Sequence, residues 1–392
     1  MFRFIKHTLA FYLVFVLAAC ASTSPKTSTS LQTGAEQVNE YLPLLKGKTV
    51  ALVVNHTTTI GKTHLADSLK SLGINIKTIF APEHGFRGTA DAGEHVSNGV
   101  DKKTGIPIVS LYGSNKKPKP EQLAGIDILI FDIQDVGARF YTYTSTMHYL
   151  MEACAENNKP LLILDRPNPN GHYVDGPVLD RKFASFVGLN PVPIVHGCTV
   201  AELALLINGE GWLKNGVKCD LKIVKCKNYT HNTPYAPPIA PSPNMPNLQS
   251  ILLYPSICLF EPTEVSVGRG TDLQFQVIGS PHPFDGAYTF TPVDKPGANN
   301  PPQEGVLCYG LNLSKIDATQ MGLTLKYVLD FYKKSPNKEK FFTNASFFDK
   351  LAGTDILRKQ LAEGLTEEQI RQSWQKDLDH YKAIRKKYLL YR

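Results

Sequence analysis

Cysteine is scarce in this chain, with 7 among 392 residues, and no two are spaced as C-x-x-C. A cysteine zinc site or a thioredoxin-type redox pair needs that spacing, so neither is expected. After Cys20 the cysteines stand at 154, 198, 219, 226, 258 and 308, with no disulfide-framework pattern. Cys219 and Cys226 are separated by an odd number of positions in one expected strand, which puts them on opposite faces. No G-x-G-x-x-G follows the first expected strand, so the dinucleotide fingerprint is missing, and no H-E-x-x-H marks a metalloprotease helix. Beyond the first twenty residues no apolar run is long enough to span a bilayer, and no internal repeat occurs. Basic residues outnumber acidic ones, 42 to 35, without any recognised nucleic-acid motif. No nucleic-acid partner is expected.

What the chain does have begins at its N-terminus. Arg3 and Lys6 precede an apolar run from Thr8 to Leu17, too short for a permanent membrane helix and suited to a secretory signal. The run ends in Leu17-Ala18-Ala19-Cys20, which resembles a bacterial lipobox. That resemblance implies a signal peptide over 1–19, cleavage before Cys20, and a membrane anchor through lipid on the Cys20 thiol. Residues 20–40 then read as lipidated cysteine and flexible tether, rich in Ser and Thr. Ala21 rather than Asp follows Cys20, which by analogy with Gram-negative sorting points to the periplasmic face of the outer membrane. Loss of Arg3 and Lys6 lowers the formal charge from +7 to +5. The basic run at 376–392 reads as the solvated face of a terminal amphipathic helix.

From Lys46 strands and helices alternate. Thr49–Val54, Ile74–Phe80, Ile106–Tyr112, Ile126–Ile133 and Leu161–Leu164 have the β-branched, apolar character of buried strands. Helical patterns lie between them at 64–72, 120–124 and 144–157. Val192–His196 and a helix from Thr199, with Glu202 at the capping-box position, complete this domain. The pattern predicts an α/β fold, a Rossmann-like and mostly parallel sheet covered by helices. Its expected extent is 41–235. The stretch 229–255 holds seven prolines, which leave few backbone donors for a helix or a central strand. It reads as an ordered crossover into a smaller mixed α/β domain, 236–392, that closes the cleft.

One stretch concentrates chemistry. In I-F-A-P-E-H-G-F-R-G-T-A-D-A-G-E-H (79–95) a strand gives way to a Gly-rich loop carrying Glu83, His84, Arg87, Glu94 and His95. In an α/β fold that point faces the cleft at the carboxyl ends of the strands. The other strand ends bring Asn55, Tyr112, Asp132, Asp135, Arg139, Asp165 and Asn168 to the same edge. Glycoside hydrolysis needs a proton donor and commonly a second carboxylate, and this loop predicts a sugar-cleaving site with Glu83 as acid.

The blocks P-E-H-G-F-R-G (82–88), D-A-G-E (91–94), F-D-I-Q-D-V-G-A-R-F-Y-T-Y (131–143), D-R-P-N-P (165–169), H-G-C-T-V-A-E-L-A (196–204), P-S-P-N-M-P (241–246) and V-G-R-G-T-D (267–272) resemble those of the NamZ-type exo-β-N-acetylmuramidases, in the same order. The resemblance implies an interdomain active cleft and exo-cleavage of non-reducing terminal N-acetylmuramic acid from peptidoglycan-derived MurNAc-GlcNAc fragments, with no cofactor. It makes Glu83 the family-matched acid and His84 a residue that orients a carboxylate or stabilises charge. Asp132, Asp135 and Glu94 stand as candidates for the second carboxylate, alongside the substrate's own N-acetyl group. The lactyl carboxylate of the sugar calls for an arginine: Arg139 first, then Arg87 and Arg269. Tyr141 and Tyr143 offer rings for a sugar face, and Asn55, Asn168 and Asn244 offer polar contacts. Asp165, Arg166 and Asn168 equally suit a self-stabilised Asx-type turn, and His196 suits a structural role. Two other classes fit parts of the pattern. One is a two-lobed lipoprotein that binds muropeptides without cleaving them. The other is a metal-dependent hydrolase using Glu83-His84, Glu94-His95 and Asp132.

Overall fold

The computed structural model describes residues 30–87, 98–283 and 288–391. The expected signal sequence, Cys20 and Glu94 lie outside the described residues. Nine strands belong to the first half: β1 (Thr49–Val54), β2 (Thr59–Ile60), β3 (Thr63–His64), β4 (Asn75–Ala81), β5 (Gly99–Val100), β6 (Pro107–Ser110), β7 (Ile128–Asp132), β8 (Leu161–Leu164) and β9 (Leu221–Val224). Seven of them form a sheet in the order β5-β6-β4-β1-β7-β8-β9, parallel except at the β5–β6 edge. This is the α/β class the alternating pattern predicts. The winding direction reverses between β1 and β7, so the strand ends there open a crevice.

Period-two alternation sorts the strand residues to two faces. On β1, Ala51 and Val53 enter one apolar cluster, and Val50, Leu52 and Val54 enter the other. Both faces are covered, which is why the strands read as continuous apolar runs. Helices Tyr143–Glu156 and Val200–Gly209 cover the first face, and helices Val38–Leu45 and Leu65–Ser71 the second. The capping box expected at Thr199 is present: its side chain accepts from Glu202 N–H, and Glu202 reaches back to Thr199 N–H.

The second half holds an antiparallel sheet, β10-β12-β11, made of β10 (Val277–Ser280), β11 (Tyr288–Phe290) and β12 (Cys308–Asn312), beside a run of helices. Its Ile278, Phe348, Trp374 and Tyr381 belong to the same cluster as Ala51 and Val53. The described residues from Leu31 onward therefore cluster as one compact unit, and the larger of the two main apolar clusters runs through both halves. In the last long helix, Glu367–Arg385, it is Ile370, Trp374, Leu378 and Tyr381 that are buried. Lys376, Lys382, Lys386 and Lys387 are exposed as expected, whereas Arg385 is half-buried and donates to the Gly197 carbonyl.

Two expectations, on the tether and on the proline-rich stretch, need correction. The tether does not reach residue 40. Gln32 pairs with Lys227, Gly34 N–H donates to the Asp165 carbonyl at 2.8 Å, and Ala35 is fully buried. A Cβ at Gly34 would lie 2.5 Å from Asp165 N and Val224 O, so only glycine lets the chain lie this close. Val192–His196 stays outside the main sheet, and its Val195 makes isolated bridges to Ala138 and Asp175. The proline-rich stretch ends in a helix, Leu248–Ile257, that includes Pro255. Proline removes the N–H that would bond the Ile251 carbonyl, and Asn170 Nδ2 donates to that carbonyl instead, at 3.2 Å.

Candidate active site

The site is built on the turn that ends β4. Gly85 N–H donates to the Pro82 carbonyl at 3.0 Å, closing a four-residue turn with Glu83 and His84 at its centre. His84 has φ +68° and Gly85 φ +75°. A left-handed non-glycine backbone is unfavourable and persists where its surroundings enforce it. The turn lifts the Glu83 side chain off the strand end. Tyr112 Oη donates to Glu83 Oε1 at 2.8 Å, and Thr142 Oγ1 donates to Oε2 at 2.6 Å. Tyr112 follows β6, the next strand over, and Thr142 caps helix Tyr143–Glu156. Two hydroxyls on separate elements thus fix the orientation of one carboxylate.

Glu83 and His84 line a cavity of about 210 Å³. Its inner wall is buried and mostly aromatic, with Tyr141, Tyr254 and Phe275 in edge-on contacts. Tyr141 Oη donates to the Pro241 carbonyl at 2.8 Å, which ties the proline-rich strap to this wall. Asn244, from the same strap, donates through Nδ2 to Gly297 O at 2.8 Å. Its Oδ1 is buried without a hydrogen-bond partner among the described residues. Arg269 and Glu261 complete the lining; Arg269 Nε donates to Glu261 Oε1 at 3.0 Å, and the guanidinium lies over the Phe275 ring. A larger hollow of about 500 Å³ lies over Arg166 and under residues 233–238. Its one acid, Glu36, accepts from Thr33 N–H at 2.7 Å.

The structure thus brings Glu83, His84, Tyr141, Asn244 and Arg269 together and directs other predicted residues elsewhere. Arg139 is not a cleft residue. It is buried, and its guanidinium donates to the carbonyls of Pro177, Val192 and Leu351 at 2.8–2.9 Å. Asp132 is no available catalytic carboxylate either: it is fully buried in a bidentate pair with Arg166, with Nη2 at 2.9 Å from Oδ2. Asp135 accepts from Gly137 N–H at 2.7 Å and faces His196 Nε2 at 3.6 Å, so it shapes the loop after β7. Asn55 Oδ1 accepts from both Thr57 N–H and Thr57 Oγ1 in its own local turn. Asn168 makes the Asx-type turn, accepting from Asn170 N–H while donating to Cys198 O. Arg87 is 40% exposed and pairs with Asp101 at 2.9 Å across the Phe86 ring. These six are framework residues. Among the described residues no group of three or more His, Cys, Asp or Glu is placed to hold a metal ion.

Sequence reading did not single out Thr142, Glu261 or Phe186 as site residues. Thr142 sits inside the quoted block 131–143, four residues from the strand-end glycine-alanine pair, and was legible there. Phe186 carries no local signal at all.

Fold and cavity together define a doubly wound α/β protein with a small aromatic-walled site that carries Glu83 and Glu261 and is lined from both halves of the chain. Comparison with known proteins makes this specific. Residues 50–249 match the family described as "Exo-beta-N-acetylmuramidase NamZ, N-terminal", and residues 252–391 match its C-terminal counterpart. The chain belongs to this family. It is 40% identical, over 96% of both chains, to a Bacillus subtilis (strain 168) protein named peptidoglycan beta-N-acetylmuramidase NamZ. Among solved structures it resembles two DUF1343 family proteins of Bacteroides fragilis NCTC 9343. The first is 50% identical with a TM-score of 0.86, covering 93% of this chain and 99% of that one. The second is 30% identical with a TM-score of 0.77, covering 92% and 99%.

Proposed function

We propose that the chain is an exo-acting glycoside hydrolase that releases the non-reducing terminal N-acetylmuramic acid from peptidoglycan-derived MurNAc-GlcNAc fragments, with Glu83 as the general acid. The observation that carries the reading is the Glu83 carboxylate, held by Tyr112 and Thr142 at the edge of a cavity with a buried inner wall. At about 210 Å³ the cavity sits below the usual small-ligand range of about 300–1,000 Å³. One terminal sugar fits such a space and a glycan chain does not, which favours exo over internal cleavage. Membership of the family and the name of the Bacillus relative supply the sugar.

In this reading Glu83 protonates the departing glycosidic oxygen. Arg269 takes the lactyl carboxylate, since it is the arginine that lines the cavity, and Glu261 holds it in place. Asn244 Oδ1 accepts a sugar donor such as the acetamido N–H. The substrate's N-acetyl group and Glu94 are the sources of nucleophilic or base assistance. The chain is exported, cleaved before Cys20 and anchored by lipid to the periplasmic face of the outer membrane; the Leu17-Ala18-Ala19-Cys20-Ala21 sequence supports this.

The test is to incubate the protein with a MurNAc-GlcNAc disaccharide and follow both sugars. Free N-acetylmuramic acid and N-acetylglucosamine should accumulate in equal amounts over many turnovers. Saturable binding of the disaccharide with no product would refute hydrolysis and support a muropeptide-binding lipoprotein.

A further inference from the structure

Resting on that reading, we propose that Phe186, with Tyr112 and Tyr149, forms a stacking platform for the sugar on the leaving-group side of the scissile bond. A general acid stands beside the oxygen it protonates, so the departing sugar lies next to Glu83. Tyr112 Oη donates directly to Glu83 Oε1. From that ring a strip of aromatics runs outward. Phe186 is tilted at 57° to Tyr112 with centroids 6.1 Å apart, and Tyr149 lies nearly parallel to Phe186, at 10° and 6.4 Å. Tyr112 and Phe186 are half-buried, whereas Tyr254 and Phe275, which line the same cavity, are buried. The wall encloses the retained sugar, and the strip is the side through which the other sugar leaves. The C–H face of a pyranose is weakly positive and complements the negative face of an aromatic ring. The Lys116 ammonium lies over the Phe186 ring, 4.7 Å from its centroid, and a flexible stem lets it yield that face to a sugar and donate to its hydroxyls.

The platform is preorganised. Phe186 and Val187 are the two-residue tip of a tight turn, with Ser185 and Gly188 exchanging both backbone hydrogen bonds at 2.9 Å. Gly188 packs on the buried Arg139, where a Cβ would lie 3.2 Å from Cδ. The guanidinium of Arg139 also donates to Leu351 O, in the helix that carries Phe347 on the cavity lining. The arginine that the sequence suggests as a ligand thereby becomes a positioning residue for the cavity mouth.

The test compares two substrates of one glycone: the MurNAc-GlcNAc disaccharide, and β-N-acetylmuramyl fluoride, whose leaving group has no face to stack. Phe186→Ala should lower kcat/KM on the disaccharide by about 3- to 10-fold, the scale of one aromatic contact, and leave the fluoride unchanged. Phe186→Trp should restore the disaccharide rate. Inhibition by free N-acetylglucosamine should weaken in Phe186→Ala, while inhibition by free N-acetylmuramic acid should not. Equal losses on both substrates, or no loss on the disaccharide, would overturn the platform. A wild type inert on both substrates would instead refute the muramidase reading, and the platform with it.

Discussion

Single residues show how a strand-end position can serve chemistry or scaffolding with the same side-chain types. Arg139 and Arg269 illustrate the split. Truncating Arg139 removes a donor from three carbonyls: Val192 O keeps its bond from Leu179 N–H at 3.1 Å, whereas those of Pro177 and Leu351 are stranded, each worth about 1–3 kcal/mol when left unsatisfied. Arg139→Ala should therefore lower the urea midpoint markedly, and lower turnover on glycosides of N-acetylmuramic acid and N-acetylglucosamine by similar factors. Arg269→Ala, which leaves the part-exposed Glu261 unpaired, should also lower the midpoint but, unlike Arg139→Ala, erode the preference for N-acetylmuramic acid. Losing one charged hydrogen-bonding contact corresponds to about 1.5–3 kcal/mol, or roughly 10- to 150-fold in that preference. Unchanged sugar selectivity in Arg269→Ala would remove it from carboxylate recognition. Glu83, His84, Asn244 and Arg269 were legible because their motifs flank glycines and prolines, which turn side chains off regular elements. Asp132 and Arg139 misled because nothing local tells a reader that Arg166, or the carbonyls of 177, 192 and 351, already engage them.

At the scale of elements, strands were the more legible part. β1 and β8 lie at the positions their apolar runs predict, since a doubly covered strand needs no partner's identity to be recognised. The helix through Pro255 was not legible, because the amide that satisfies Ile251 comes from Asn170, 81 residues away. The helix Leu65–Ser71 yields a pH prediction. His64 caps it: Nδ1 accepts from Ala66 N–H at 3.1 Å, and Nε2–H donates to the Asn55 carbonyl at 2.8 Å. Its ring also packs edge-on against Phe86, from the Glu83 loop, at 4.8 Å. Burial above all lowers this imidazole from 6.5 to about 4. Below 6.5 the unfolded chain takes up a proton that the folded chain refuses until about 4, so stability falls as pH drops through that window. Unfolding free energies at pH 7 and pH 4.5 should differ more in wild type than in His64→Asn, which keeps a capping side chain. Equal pH dependence in the two proteins would contradict this account.

For the whole molecule, one core spans the parallel sheet and the helices of the second half, and the cavity lies where residues of both meet. The proposed lipid anchor can be tested apart from this body. A chain beginning near Leu31 should fold and stay in solution, because the residues from Leu31 onward cluster as one compact unit. Cys20→Ser in the full chain should abolish acylation and membrane retention, and acyl chains on that variant would refute the lipoprotein proposal. The central claim is the acid. Glu83→Gln keeps the shape and a hydrogen-bonding amide but has no proton to transfer, and general acid catalysis contributes about 10²–10⁴-fold. The decisive measurement is kcat of Glu83→Gln and wild type on the MurNAc-GlcNAc disaccharide and on the nitrophenyl glycoside of N-acetylmuramic acid, whose leaving group needs little protonation. A loss of about 10²-fold or more is expected on the disaccharide and a much smaller loss on the nitrophenyl glycoside, with disaccharide binding retained. Near-normal turnover of the disaccharide by Glu83→Gln would contradict that claim.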